Sequence, residues 1–269
     1  MFSDLLSMPP AALREIAPQI ARWLFDRGVA QPEALLRAGL PDDRAQVALA
    51  LCERLFLKAP PLALSRAAVS AFEQLIEQHF DAPAGRQIAY DLPYPKHEFL
   101  RYLTEHKRCL LHGSSHTGIE RLQPRQQSDW AGRPVNAVFA SGDGIWPLFF
   151  ACIPQTGWPG SLRNACLVID TPDGSPARFY FFSINEHVLP RAGWVNGMIY
   201  ILRAEGFRRA AEGPVRFDEW ISARETPIAA RLPVSPADFP LLRSVTGHPE
   251  DGPVFETWLR YKTRLAAAG

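Results

Sequence analysis

The 269-residue sequence lacks a charge bias, with 29 Lys and Arg against 28 Asp and Glu and a formal net charge of +1. No overall field draws it to nucleic acid or an anionic membrane, so partners must be recognised by local sites. It also lacks long apolar runs; none approaches the roughly 18 residues of a membrane span. The opening MFSDLLSMPPAALREIAP carries neither the basic start nor the apolar core of a secretory signal, so a cytoplasmic location and no membrane partner are expected. Cysteine is scarce: Cys52, Cys109, Cys152 and Cys166 show no CxxC spacing, and each sits in an apolar setting, which predicts reduced core thiols. His116, Glu120 and Asp129 share a polar loop without ligand spacing, so no metal is expected. A glycine-rich phosphate loop, a nucleophile elbow and internal repeats are absent as well.

What is present is an apolar content of 47%, enough for a sizeable core. Residues 1–95 are expected to form a helical N-terminal region with a connector. Leu13, Ile16, Ile20, Trp23 and Leu24 recur at helical spacing between Pro9 and Arg27, before Gly28. Further helices are predicted at 32–38, 42–57 and 65–80, the last two separated by Ala59-Pro60-Pro61. The Pro- and Gly-rich stretch 81–96 is a surface connector, and 97–106 a short helix with Phe99, Leu100 and Leu103 inward.

From 108 to 232 the texture is β. Apolar runs predict strands at 109–111, 136–141, 165–170, 178–184, 197–202, 215–223 and 227–232, with a hairpin turn at 171–175 and an aromatic helix starting at Trp146. Helices at 237–245 and 254–268 form a tail, residues 236–269, packed on this core. The fold class expected is α+β: a helical region on a mainly antiparallel β core spanning 96–235.

The stretch 108–153 concentrates residues that a plain core does not require. Leu110-Leu111-His112-Gly113-Ser114, then Ala137-Val138-Phe139-Ala140-Ser141 and Phe149-Phe150-Ala151-Cys152, resembles the core of ADP-ribosyltransferases of the diphtheria-toxin and poly(ADP-ribose) polymerase type. Those enzymes carry His-Gly-Ser on a first strand, Tyr-Phe-Ala on a second, an aromatic helix, and a late glutamate matched here by Asp218-Glu219-Trp220-Ile221-Ser222. The resemblance covers about half the chain and marks it as a divergent member. It implies NAD as substrate, with ADP-ribose passed to an unknown acceptor (protein, nucleic acid or water), or NAD hydrolysed with release of nicotinamide. The catalytic residues implied are Glu219 and His112; His112, Gly113, Ser114, Phe149 and Phe150 would bind NAD.

The chemistry suits those residue types. Breaking the nicotinamide–ribose bond develops positive charge on the sugar, which a carboxylate stabilises more in the transition state than in the ground state. The histidine and serine offer hydrogen bonds to ribose hydroxyls, the glycine lets a carboxamide approach the backbone, and the phenylalanines stack on the nicotinamide. Arg121 or Arg125 would meet phosphate. Val138 stands where the family's stacking Tyr belongs, which leaves three readings: the wall comes from Trp146 or the Phe pair, the chemistry differs, or the site is inactive. Two alternatives remain open at this point: a non-catalytic binding or regulatory module on the same fold, and an RNA 2′-phosphotransferase-like enzyme, for which no basic RNA surface is visible.

Overall fold

The strands and helices follow one another as short pieces. In chain order they are β1 (Leu57–Lys58), α1 (Arg66–Phe80), β2 (Arg86–Gln87), α2 (Lys96–His106), β3 (Cys109–Ser114), β4 (Arg121–Leu122), β5 (Arg125–Ser128) and β6 (Pro134–Ala140). There follow α3 (Trp146–Cys152), β7 (Leu162–Asp170), β8 (Pro176–Asn185), β9 (Gly197–Arg203), β10 (Arg208–Arg209), β11 (Val215–Phe217) and β12 (Trp220–Ser222). The last are β13 (Thr226–Pro227), β14 (Ala230–Val234), β15 (Thr246–His248) and α4 (Val254–Ala268). This computed structural model describes residues 49, 52–80, 85–129, 133–154, 160–171, 174–191, 193–211, 213, 215–251 and 254–268. The helices expected at 9–27 and 32–38 lie outside the described residues.

The fold is mixed α and β, mostly antiparallel, with few helices among the described residues. Its largest sheet runs β1-β8-β7-β11, and β15 adds in parallel to β8. The β7–β8 hairpin pairs from Leu162↔Ile184 to Asp170↔Pro176. Its residues read as nearly continuous apolar runs because both faces are covered. Ala165, Leu167, Ile169, Phe179 and Phe181 pack with Phe56 and Tyr261, whereas Cys166, Tyr180 and Phe182 pack with Phe149 on the other side. A second sheet, β2-β14-β9-β3, and a third, β10-β12-β6-β5, are joined where Leu111 bridges Ser141.

The helices bury the stripes that their sequences carry. In α1 these are Ala68, Phe72, Leu75 and His79, and Ser65 Oγ accepts the Ala68 N–H at 3.1 Å as the start is capped. α2 buries Phe99, Leu100 and Leu103 against the core that also holds Leu111 and Phe149. All four cysteines are buried and free. Among the described residues no helix is long and apolar enough to cross a membrane.

Four expectations change, the first being the strand expected at 227–232: Thr226–Pro227 pair with β4 in one sheet and Ala230–Val234 with β9 in another. The strand expected at 215–223 is two strands in two different sheets, β11 on β7 and β12 on β6, because the chain crosses over at Asp218-Glu219. The helix expected at 237–245 is a pair of 3₁₀ turns, 236–238 and 242–244; Pro240 between them cannot continue a helical ladder. The helix expected through Leu57 ends earlier, and Leu57–Lys58 pair with Tyr180 and Phe179 instead.

Where β15 joins β8, a buried histidine ties three segments together. Ser183 Oγ donates to Thr246 O at 3.1 Å, so it accepts from His248 Nδ1 at 2.8 Å, and the Ser161 hydroxyl is shared between His248 Nε2 at 2.9 Å and Asn185 Oδ1 at 3.2 Å. Burial, with Arg163 and Arg264 nearby, pushes the His248 imidazole down to about 4. The unfolded chain takes up this proton near pH 6.5 and the folded one does not, so stability is lost as pH falls from 6.5 towards 4. We expect this histidine to contribute on the order of 2 kcal/mol to that loss. Urea midpoints measured from pH 7.5 to 4.5 should fall less steeply in His248→Gln than in the wild type.

Candidate functional site

An open cleft of about 1050 Å³ gathers most of the residues singled out in the sequence. Its walls include His112, Gly113 and Ser114 from β3, Phe139 from β6, Trp146 and Phe150 from α3, and Glu219 from the β11–β12 crossover. Arg121, Gln123, Arg125 and Gln127 form a polar end; Leu162, Phe217 and Trp258 form an apolar one.

Strand register explains why His112 and Glu219 border one cleft. Leu111 bridges Ser141, and Trp220 pairs with Ala140, so Glu219 sits level with Ser141 on the far side of β6 from His112. Two strand spacings separate them, roughly 10 Å. Asp218 and Glu219 are adjacent in sequence and face opposite ways: Asp218 is buried at 3% exposure, and Glu219 borders the cleft.

The His112 tautomer follows from its partner. Phe139 O can only accept, so Nδ1 carries the proton in their 2.9 Å hydrogen bond, and Nε2 keeps a lone pair for a hydroxyl donor. Burial lowers the His112 pKa, Arg125 adds to this, and the bond to Phe139 O opposes it. The ring is therefore neutral at pH 7. Ser114 is fully buried; its Oγ accepts the His116 N–H at 3.1 Å, and Tyr200 OH donates to His116 O at 2.6 Å, which together hold the loop after β3.

Gly113 serves a packing need that the sequence does not reveal. A Cβ built there would lie 1.8 Å from Pro147 O and 3.2 Å from Ala151 N, so its missing side chain admits α3 against β3. Of the two phenylalanines, Phe150 reaches the cleft, 5.8 Å from Trp146 in an edge-on contact. Phe149 does not: it is fully buried among Phe182, Trp194 and Phe239. Val138 is buried at 3% exposure in the cluster with Leu110 and Tyr200, while the next residue, Phe139, is partly exposed on the cleft.

Arg121 is exposed and ion-paired with Glu225, which also accepts from Gln123; Arg125 opens an exposed edge strand. Asp129 accepts from the backbone and guanidinium of Arg133 at 2.9 and 2.8 Å. Among the described residues no group of three His, Cys, Asp or Glu side chains is placed to hold a metal ion. Sequence reasoning missed Asn164, whose Oδ1 accepts the Trp146 indole N–H at 2.6 Å on the cleft wall. A lone Asn in an apolar strand carries no pattern, though a polar residue in such a run is itself a flag. Comparison with protein-family models, curated proteins and solved structures finds no match to this chain.

Proposed function

We propose that the chain binds NAD in this cleft and breaks its nicotinamide–ribose bond, passing ADP-ribose to an acceptor or to water, on a core of ADP-ribosyltransferase type. The observation that carries this reading is the shared cleft of His112, on β3, and Glu219, on the crossover between β11 and β12. Neutral His112 accepts from a ribose hydroxyl through Nε2. Trp146 and Phe150 offer the flat surfaces that Val138 does not, and the cleft, about 1050 Å³, is slightly larger than the roughly 300–1,000 Å³ usual for ligand sites.

Chemically, the C–N bond breaks with its electron pair going to the nicotinamide ring, which becomes neutral. Positive charge develops on the sugar beside the Glu219 carboxylate. An acceptor oxygen then bonds to the anomeric carbon, and its proton passes to Glu219 or to solvent.

The test is nicotinamide release from NAD by the purified protein. Glu219→Gln is expected to lower release on the order of 10²-fold or more while NAD still raises the melting temperature, because the carboxylate acts mainly in the transition state. His112→Ala is expected to weaken that NAD-dependent rise. If the wild type neither releases nicotinamide nor gains stability with NAD, the proposal is wrong.

A further inference from the structure

Three charged side chains that do not line the cleft, Asp143, Arg178 and Asp218, are gathered behind its wall residue Ser141. Asp143 and Asp218 are 1% and 3% exposed. Asp143 Oδ1 accepts the backbone N–H groups of Ile145 at 2.8 Å and Trp146 at 2.6 Å, where α3 begins. Its Oδ2 accepts from Tyr180 OH at 2.6 Å and lies 3.4 Å from Arg178 Nε. Asp218 accepts from Ser141 Oγ at 3.0 Å and from the Trp220 indole at 3.3 Å. Ser141 Oγ in turn accepts the Asp143 N–H at 3.0 Å, so one hydroxyl joins the two aspartates.

Turn chemistry alone does not need this. A turn aspartate is satisfied by its own backbone, whereas here two buried carboxylates share one hydroxyl, and a single guanidinium, beside Asp143 at 3.4 Å, supplies the positive charge that acts on both. The glycines around Asp143 are equally constrained. A Cβ at Gly142 would meet Trp220 Nε1 at 3.1 Å, and one at Gly144 would lie 2.3 Å from Arg101 N.

We propose that Asp143, Arg178, Asp218 and Ser141 form a single positioning device for the cleft. Asp143 sets Trp146 on one wall, and Asp218 sets the backbone that presents Glu219 on the other. Ser141, bonded to both, couples the two settings, and the Arg178 charge balances the pair, so the walls keep a fixed separation. This rests on reading Glu219 as the reactive carboxylate.

The device is tested first without ligand, by following the indole N–H resonances of Trp146 and Trp220, assigned with Trp146→Phe and Trp220→Phe. Asp143→Asn is expected to shift the Trp220 resonance, and Asp218→Asn the Trp146 resonance, each beyond its line width. Should each variant disturb only its own half, the coupling does not exist and the proposal is overturned. In nicotinamide release, Asp218→Asn is expected to lower kcat about tenfold or more with KM within twofold, since Glu219 acts in the transition state. A loss confined to KM also overturns it. Cross-shifts in a protein that neither binds nor cleaves NAD would leave the positioning network standing and remove the NAD reading.

Discussion

Gly113→Ala is expected to cost about 3 kcal/mol or more of stability, although it adds one methyl group to a residue bordering the cleft. The added carbon would sit 1.8 Å from Pro147 O, a backbone atom of α3, and that helix would have to retreat by roughly 1.5 Å to reach ordinary contact. α3 cannot retreat cheaply. Its other faces carry Leu148, Phe149 and Cys152, all fully buried, and Asp143 fixes its start. At about 2–4 °C per kcal/mol for a chain of this size, a thermal melt should show a drop of roughly 6–12 °C. A shift under 2 °C would mean that α3 is loosely seated. A glycine needed only for ligand approach would instead leave the melt unchanged and weaken NAD binding alone.

Arg178→Met is expected to be comparably damaging, by about 3–5 kcal/mol at pH 7.5, because it leaves Asp143 and Asp218 buried without their cation. Burial already raises the Asp218 pKa, and Asp143 adds to this, while Arg178, Ser141 and Trp220 pull it back down. Burial would lower the Arg178 pKa, but the two aspartates outweigh it and raise it. Removing the guanidinium raises the Asp218 folded value further above its unfolded one. A carboxyl raised in the folded state binds its proton there first, so stability declines as pH rises through the window between the two values. The deficit of the variant against wild type should therefore be smaller at pH 5 than at pH 7.5 when urea midpoints are compared. An equal deficit at both would show that the carboxylates find other partners.

Local pattern made much of the β architecture readable. The hairpin of β7 and β8, the strands β3, β6 and β9 and the helices α1, α2 and α4 lie where apolar runs and stripes place them, because each buries the residues that make its pattern. What local pattern cannot encode is which sheet a strand joins. Val215 to Ser222 alternates like one strand, yet the buried Asp218 divides it between two sheets, and that division is what carries Glu219 to the cleft. The strands β4, β13 and β15 escape local pattern for a simpler reason: at two, two and three residues they are too short to show an alternation. Within the site, His112, Phe150 and Glu219 share the cleft and Ser114 lies behind its wall with no exposed surface, whereas Phe149 and its neighbour differ by 100° of helix rotation, enough to put one in the core and one on the wall. The packing role of Gly113 depends on Pro147, and no spacing rule links them.

The way β8 is flanked carries a consequence for the making of the chain. One end of its outer edge pairs with Leu57–Lys58 and the other with Thr246–His248. Residue 246 follows residue 185 by 61 positions, so at the usual 5–20 residues per second a ribosome needs about 3–12 s to supply it. During that interval the emerging polypeptide carries β8 with Ser183, Ile184 and Asn185 unzipped along one side. Open strand edges are templates for pairing between molecules. The danger to this protein is therefore greatest while it is still being translated, and it ends when the last strand arrives to close the edge.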